Sequence, residues 1–181
     1  MKKHLCAVPL VFMLCFSFAC QDKAAMAELE KFRAQAKVEA QNKAIANLAW
    51  VASSKGDFDT IKELGTPEYL WYLPSNSTRP ISREEAIEKA RRLHTAFPDI
   101  SFSIKEIIAV GDKVISRYTM RGTHQGEFAG IPATGHKIEI SGIMIGRIEN
   151  GKIVEEREEM DMLGLYMQLG MELKPIAEKK K

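Results

Sequence analysis

Five carboxylates fall within seven residues near the end of the chain, in the run Glu155-Glu156-Arg157-Glu158-Glu159-Met160-Asp161. Carboxylates placed this densely can transfer protons, or they can simply keep a strand face in water. On a strand, residues 156, 158 and 160 share one face and 155, 157, 159 and 161 the other, so the run cannot be equally solvated on both sides. Asp161 reads either as a residue of a ligand pocket or as the cap of a closing helix beginning near Leu163. Histidine offers a second source of acid–base chemistry. His124 reads either as an acid or base or as a hydrogen-bonded turn residue, and His94 and His136 read as surface residues. No two of the histidines and acids show metal-ligand spacing, such as two histidines one helical turn apart, so no metal site is expected. Trp71, Tyr72, Met120 and Met144 read as core or as the wall of an apolar pocket.

These residues need a scaffold, and the chain is long enough for one domain of ordinary size. It has 181 residues, 45% of them apolar and 28% charged, the mix of a folded globular protein rather than a disordered or multi-span membrane chain. The formal charge of +2 comes from 26 Lys and Arg against 24 Asp and Glu, and Lys2 and Lys3 account for the excess. A neutral remainder argues against nucleic acid as a partner.

Residues 1–19 read as a signal peptide: two lysines, an apolar run from Leu5 to Ala19 too short to span a bilayer, then a small residue. Ala19-Cys20 resembles the lipobox of bacterial lipoproteins, which implies lipidation at Cys20 and a membrane-anchored, exported domain. Gln21 after the cysteine implies the outer membrane if the cell is Gram-negative. All three cysteines, Cys6, Cys15 and Cys20, lie in the first 20 residues, so the exported domain has none to pair in a disulfide. The expected division is a lipidated, helical stalk over 20–40, a globular domain over 41–172 and a basic tail over 173–181.

Residues 23–53 lack Gly and Pro and repeat apolar residues at helical spacing, predicting one long helix. Gly56-Asp57 ends it, and Asp57 caps a short helix through Leu64. The aromatic segment Tyr69–Tyr72 and a loop over Pro74–Pro80 follow. Ser82 and Glu85 form a capping box for a helix that stops before Pro98. After that the apolar period becomes two, predicting strands through Val110, over Lys113–His124, over His136–Glu149 and from Lys152 to about Glu159, with Asn150-Gly151 as a hairpin turn. Helices first and an antiparallel meander after is an α+β layout.

Within Gly111–Gly170 the motifs Arg121-Gly122-Thr123-His124-Gln125-Gly126, Gly130-Ile131-Pro132-Ala133-Thr134-Gly135, Asn150-Gly151-Lys152-Ile153 and Gln168-Leu169-Gly170 occur in this order. With Leu70–Pro80 and Ala96-Phe97-Pro98-Asp99, they resemble the SnoaL-like polyketide cyclase or ester cyclase family over residues 40–172. The resemblance implies the nuclear-transport-factor-2-like fold, a curved antiparallel sheet wrapped on helices around an apolar pocket, often as a homodimer. It also implies ring closure by an aldol step with neither cofactor nor metal. The family's catalytic Asp aligns with Glu158. Its pocket Asn, Gln and His align with Trp71, Gly142 and Met144, so the pocket here is expected to be more apolar. Two functions stay open: a domain that binds a small hydrophobic molecule, or a cyclase or isomerase type of enzyme with Glu158 as base, helped by His124.

Overall fold

The computed structural model describes residues 8–172 and Lys174, with side chains from Lys23 onward. Residues 1–7 of the expected leader, the Cys20 side chain and most of the expected basic tail lie outside the described residues. The elements run α1 (Val8–Lys55), α2 (Phe58–Leu64), β1 (Gly65–Tyr72), β2 (Ile81–Ser82), α3 (Arg83–Ala96), β3 (Ser101–Val110), β4 (Lys113–Thr123), β5 (Lys137–Glu149), β6 (Lys152–Met160) and α4 (Met162–Gln168). The chain divides into two units, up to Val38 and from Glu39. In the first, the side chains from Lys23 to Val38 are exposed, Met26 and Phe32 among them. No helix among the described residues is long and apolar enough to cross a membrane.

In the second unit the helix boundaries follow local chemistry. Gly56 takes φ +66°, a left-handed turn suited to glycine, and ends α1. Asp57 accepts the Thr60 amide at 3.1 Å and caps α2. Ser82 and Glu85 form both bonds of a capping box at the start of α3. The Asn150-Gly151 turn has positive φ at both residues, as a tight hairpin between twisted strands requires.

The six strands form one sheet in the order β2-β1-β6-β5-β4-β3. From β3 to β6 every pairing is antiparallel, as the alternating pattern predicts. The sheet as a whole is mixed, which corrects the antiparallel expectation: β1 lies parallel to β6, with Trp71 beside Glu156. A parallel neighbour needs a long crossover, here supplied by α3 and the whole meander between them. The sheet's inner face buries Phe97, Tyr118, Met120, Ile138, Ile140 and Leu165 in one cluster. A second cluster gathers Tyr69, Ala109, Val114, Ile148 and Ile153.

Candidate functional site

Register decides which carboxylates enter the interior. Ile148 pairs with Ile153 but Arg147 pairs with Glu155, so β6 carries one extra residue at Val154. Such a bulge rephases the strand. Ile153 and, three residues later, Glu156 therefore share the inner face, followed by Glu158 and Met160. Opposite them, β5 presents Gly146 to Glu156 and Met144 to Glu158.

Glu158 is only 4% exposed. Its Oε1 accepts a short hydrogen bond from the Tyr118 hydroxyl of β4. Tyr118 is fully buried, with its ring 4.5 Å from Trp50 and 5.9 Å from Phe102 between centroids. It can sit there because β5 has glycine at position 142. A Cβ on Gly142 would lie 2.7 Å from Tyr118 Cε1 and closer still to Cζ and Oη. Glu156, partly buried, repeats the arrangement by accepting a short hydrogen bond from the Tyr69 hydroxyl of β1. The site is thus two tyrosine–glutamate pairs side by side on β6.

Trp71 completes it from β1. Its indole N–H is buried without a hydrogen-bond partner of good geometry, yet it faces Glu158 closely enough to favour the charged carboxylate. Lys89 of α3 lies over the Trp71 ring, 5.9 Å from its centroid. Burial pushes the Glu158 pKa up to about 7. The Tyr118 hydrogen bond opposes that rise, the charge of Glu156 adds to it, and Trp71 and Lys89 oppose it more weakly. Glu156 is also pushed up to about 7 by burial, against the pull of the Tyr69 hydrogen bond. Both tyrosines are raised, first by burial and next by the neighbouring carboxylate, so they act as hydrogen-bond donors at neutral pH. A buried carboxyl that titrates near neutrality, with donors around it, is equipped to take and return a proton.

The other sequence candidates scatter. Met144 lies across from Glu158, and Met120 is buried two residues along β4 from Tyr118 on the same face. Tyr72 is not brought to the site. Strand alternation turns it to the opposite face, where the Arg157 guanidinium sits 3.9 Å from its ring centroid. Asp161 is exposed and accepts the Gly164 amide at 2.7 Å as the cap of α4, which leaves its carboxylate committed there. His124 is fully buried, but it lies six residues beyond Tyr118, about 20 Å along an extended chain. It stacks on Phe97 at 5.2 Å, and its Nδ1 accepts the Thr134 amide at 3.2 Å, so it fastens the loop that returns to β5. His94 bonds the Ser53 carbonyl at 2.8 Å and His136 the Gln168 carbonyl at 2.9 Å. Sequence reasoning missed Tyr118, Tyr69 and Glu156. The signal for Glu156 was its shared face with Glu158, and for Tyr118 it was the unexplained Gly142.

An open depression of about 420 Å³ bordered by Thr66, Leu70, Arg147, Lys152 and Glu155 does not include Glu158. Among the described residues no cluster of His, Cys, Asp and Glu could hold a metal ion.

Comparison with known proteins agrees with this architecture. The family described as SnoaL-like polyketide cyclase matches residues 44–169. Aklanonic acid methyl ester cyclase DnrD of Streptomyces peucetius is 40% identical over 60 residues, 33% of this chain and 41% of its own. The chain therefore matches about two fifths of the length of that curated relative. Among solved structures, AclR from Streptomyces galilaeus is 29% identical with a TM-score of 0.67, covering 73% of this chain and 97% of its own. TsrD from Streptomyces laurentii is 30% identical with a TM-score of 0.64, covering 72% of this chain and 96% of its own.

Proposed function

The chain belongs to the SnoaL-like polyketide cyclase family, and from that membership we propose that it is an enzyme without a cofactor, acting on a small apolar carbonyl compound. The observation that carries this reading is the Glu158 carboxyl, buried in the interior and hydrogen-bonded by Tyr118, where burial raises its pKa. Glu158 takes the proton from a carbon beside the carbonyl, and the electron pair moves to the carbonyl oxygen as an enolate. The enolate carbon then bonds to a second carbonyl carbon, closing a ring and leaving an alkoxide to be protonated, or, where a double bond is conjugated with the enolate, the far carbon of that system takes the proton. Glu158 returns the proton in either case. Trp71 supplies a free N–H near Glu158, a suitable donor to the oxygen on which charge develops.

A second reading, binding without turnover, draws support from Trp71, Gly142 and Met144, which stand where the resemblance implies polar substrate contacts. Glu158→Gln separates the two. With a panel of apolar diketones and keto esters, the wild type is expected to turn one over, and the variant to lose about 10²- to 10⁴-fold in rate. Binding, followed through quenching of tryptophan fluorescence, should persist. A variant as fast as the wild type would overturn the role of Glu158. Binding without turnover by the wild type would establish the second reading.

We also propose that the domain is exported and held to a membrane through acylated Cys20, on the strength of the leader's pattern and the Ala19-Cys20 pair. Cys20→Ser is expected to move the protein from the membrane to the soluble fraction, and unchanged fractionation would refute the anchor.

A further inference from the structure

Glu156 has no part in the step just described, although it is the stranger residue. It lies on the inner face of β6, one pleat from Glu158, and its strand partner Gly146 leaves its side chain room. The groups facing the two carboxyls are Tyr69 on β1, Tyr118 on β4 and Lys89 near Trp71 on α3, while β5 offers only Gly146 and Met144. The residues clustered around Tyr69 from α1 are the apolar Ile45, Ala46 and Ala49. Among the described residues neither carboxyl forms an ion pair. Two carboxylates this close, in a poorly solvated interior and without a paired cation, cannot both be charged cheaply.

We propose that Glu156 and Glu158 work as one unit that shares a single proton, with Glu156 as the positioning residue that determines when Glu158 is free to act as base. The inference rests on the reading of Glu158 as the base. The protonated member neutralises the interior, and the ionised member carries the one charge available for proton abstraction. During turnover that charge passes from Glu158 to the enolate oxygen and back, while Glu156 keeps its proton. Tyr69 and Tyr118 give each carboxyl one strong donor, so either can hold the charge without moving.

The pair can be read without any substrate. Surface carboxyls are ionised well below neutrality, so an infrared carboxylic-acid band that persists above about pH 6 reports on buried groups such as this pair. The wild type is expected to lose this band in steps as the pH rises. Glu156→Gln should move the remaining Glu158 transition down by about one pH unit or more, because the like charge has gone. The reciprocal variant Glu158→Gln should lower the Glu156 transition by a similar amount, and circular dichroism verifies that each variant is folded. A Gln that merely disturbed packing would not shift the other residue's midpoint in this reciprocal way. Unmoved midpoints, or a wild type without the band above pH 6, would overturn the inference. Since no turnover is measured, the coupling can fail while Glu158 remains the base, and it can hold even if Glu158→Gln leaves turnover intact.

Discussion

The unfolding free energy of the wild type is expected to fall by several kcal/mol between pH 5 and pH 8, and Glu158→Gln to recover much of that loss. Proton linkage is the cause. Glu156 and Glu158 titrate near 7 when folded, against about 4.5 for an ordinary glutamate. Between those two values the folded chain holds protons that the unfolded chain has released. Unfolding then becomes easier as the pH rises through the window. A shift of this size is on the order of 3 kcal/mol for each carboxyl, and part of the Glu158 shift comes from the like charge of Glu156. Other carboxyls act in the opposite direction at lower pH. Asp99, for example, is held below its ordinary value chiefly by the Thr123 amide, so it contributes stability that is lost as the medium turns acid. The two trends place the stability maximum near pH 5. Glutamine at 158 keeps an oxygen for the Tyr118 hydroxyl and brings no charge, so it should unfold at higher denaturant at pH 8 and flatten the profile. Urea titrations at four pH values decide this. A flat wild-type profile, with a variant less stable at pH 8, would show that the interior solvates these carboxyls better than their burial implies. A residue retained at such a cost is the pattern expected of a functional site rather than a structural one.

What the sequence made legible was what is local. Asp57, the Ser82–Glu85 box, Asn150-Gly151 and the alternation of β3 through β6 each announce themselves within a few residues, and the structure has them where those signals fall. The position of β1 was not legible. Its pairing with β6 spans most of the domain, and nothing within Tyr69–Tyr72 specifies a parallel neighbour. The site was legible only in part. Five carboxylates in seven residues left a solvated face and an interior Glu158 both open, because composition carries no information about what lies across the sheet. Tyr118 and Tyr69 come from two other strands, 40 and 87 residues away along the chain from their glutamates. Tyr72 shows the opposite error. It neighbours Trp71 in sequence but lies on the other face of the sheet, so adjacency misled where alternation would have separated them. Gly142 was visible as a lost polar side chain, while the phenol that fills its place was not.

That exchange yields the second large effect: Gly142→Ala is expected to destabilise the fold by about 1–3 kcal/mol and to disable the site at the same time. The new Cβ would fall on the Tyr118 ring, 2.7 Å from Cε1 and nearer to Cζ and Oη. No real Cβ contact is that short, so one side must move. The ring has little room to retreat, being fully buried with Trp50 and Phe102 beside it. If the ring tilts, its hydroxyl leaves Glu158, and the carboxyl, deprived of its best donor, becomes still harder to ionise. Thermal unfolding should drop by several degrees, and the pH at which Glu158 ionises should rise. The double variant Gly142→Ala with Tyr118→Leu isolates the cause. Leucine removes the atoms that collide but restores no hydrogen bond, so the double variant should regain stability relative to the sum of the two single changes without regaining a normal Glu158 titration. Additive losses would mean that Gly142 is needed for its backbone rather than for the space it leaves. Non-additive stability with an unrecovered titration would identify the glycine as the gap through which a tyrosine from β4 reaches a carboxylate on β6.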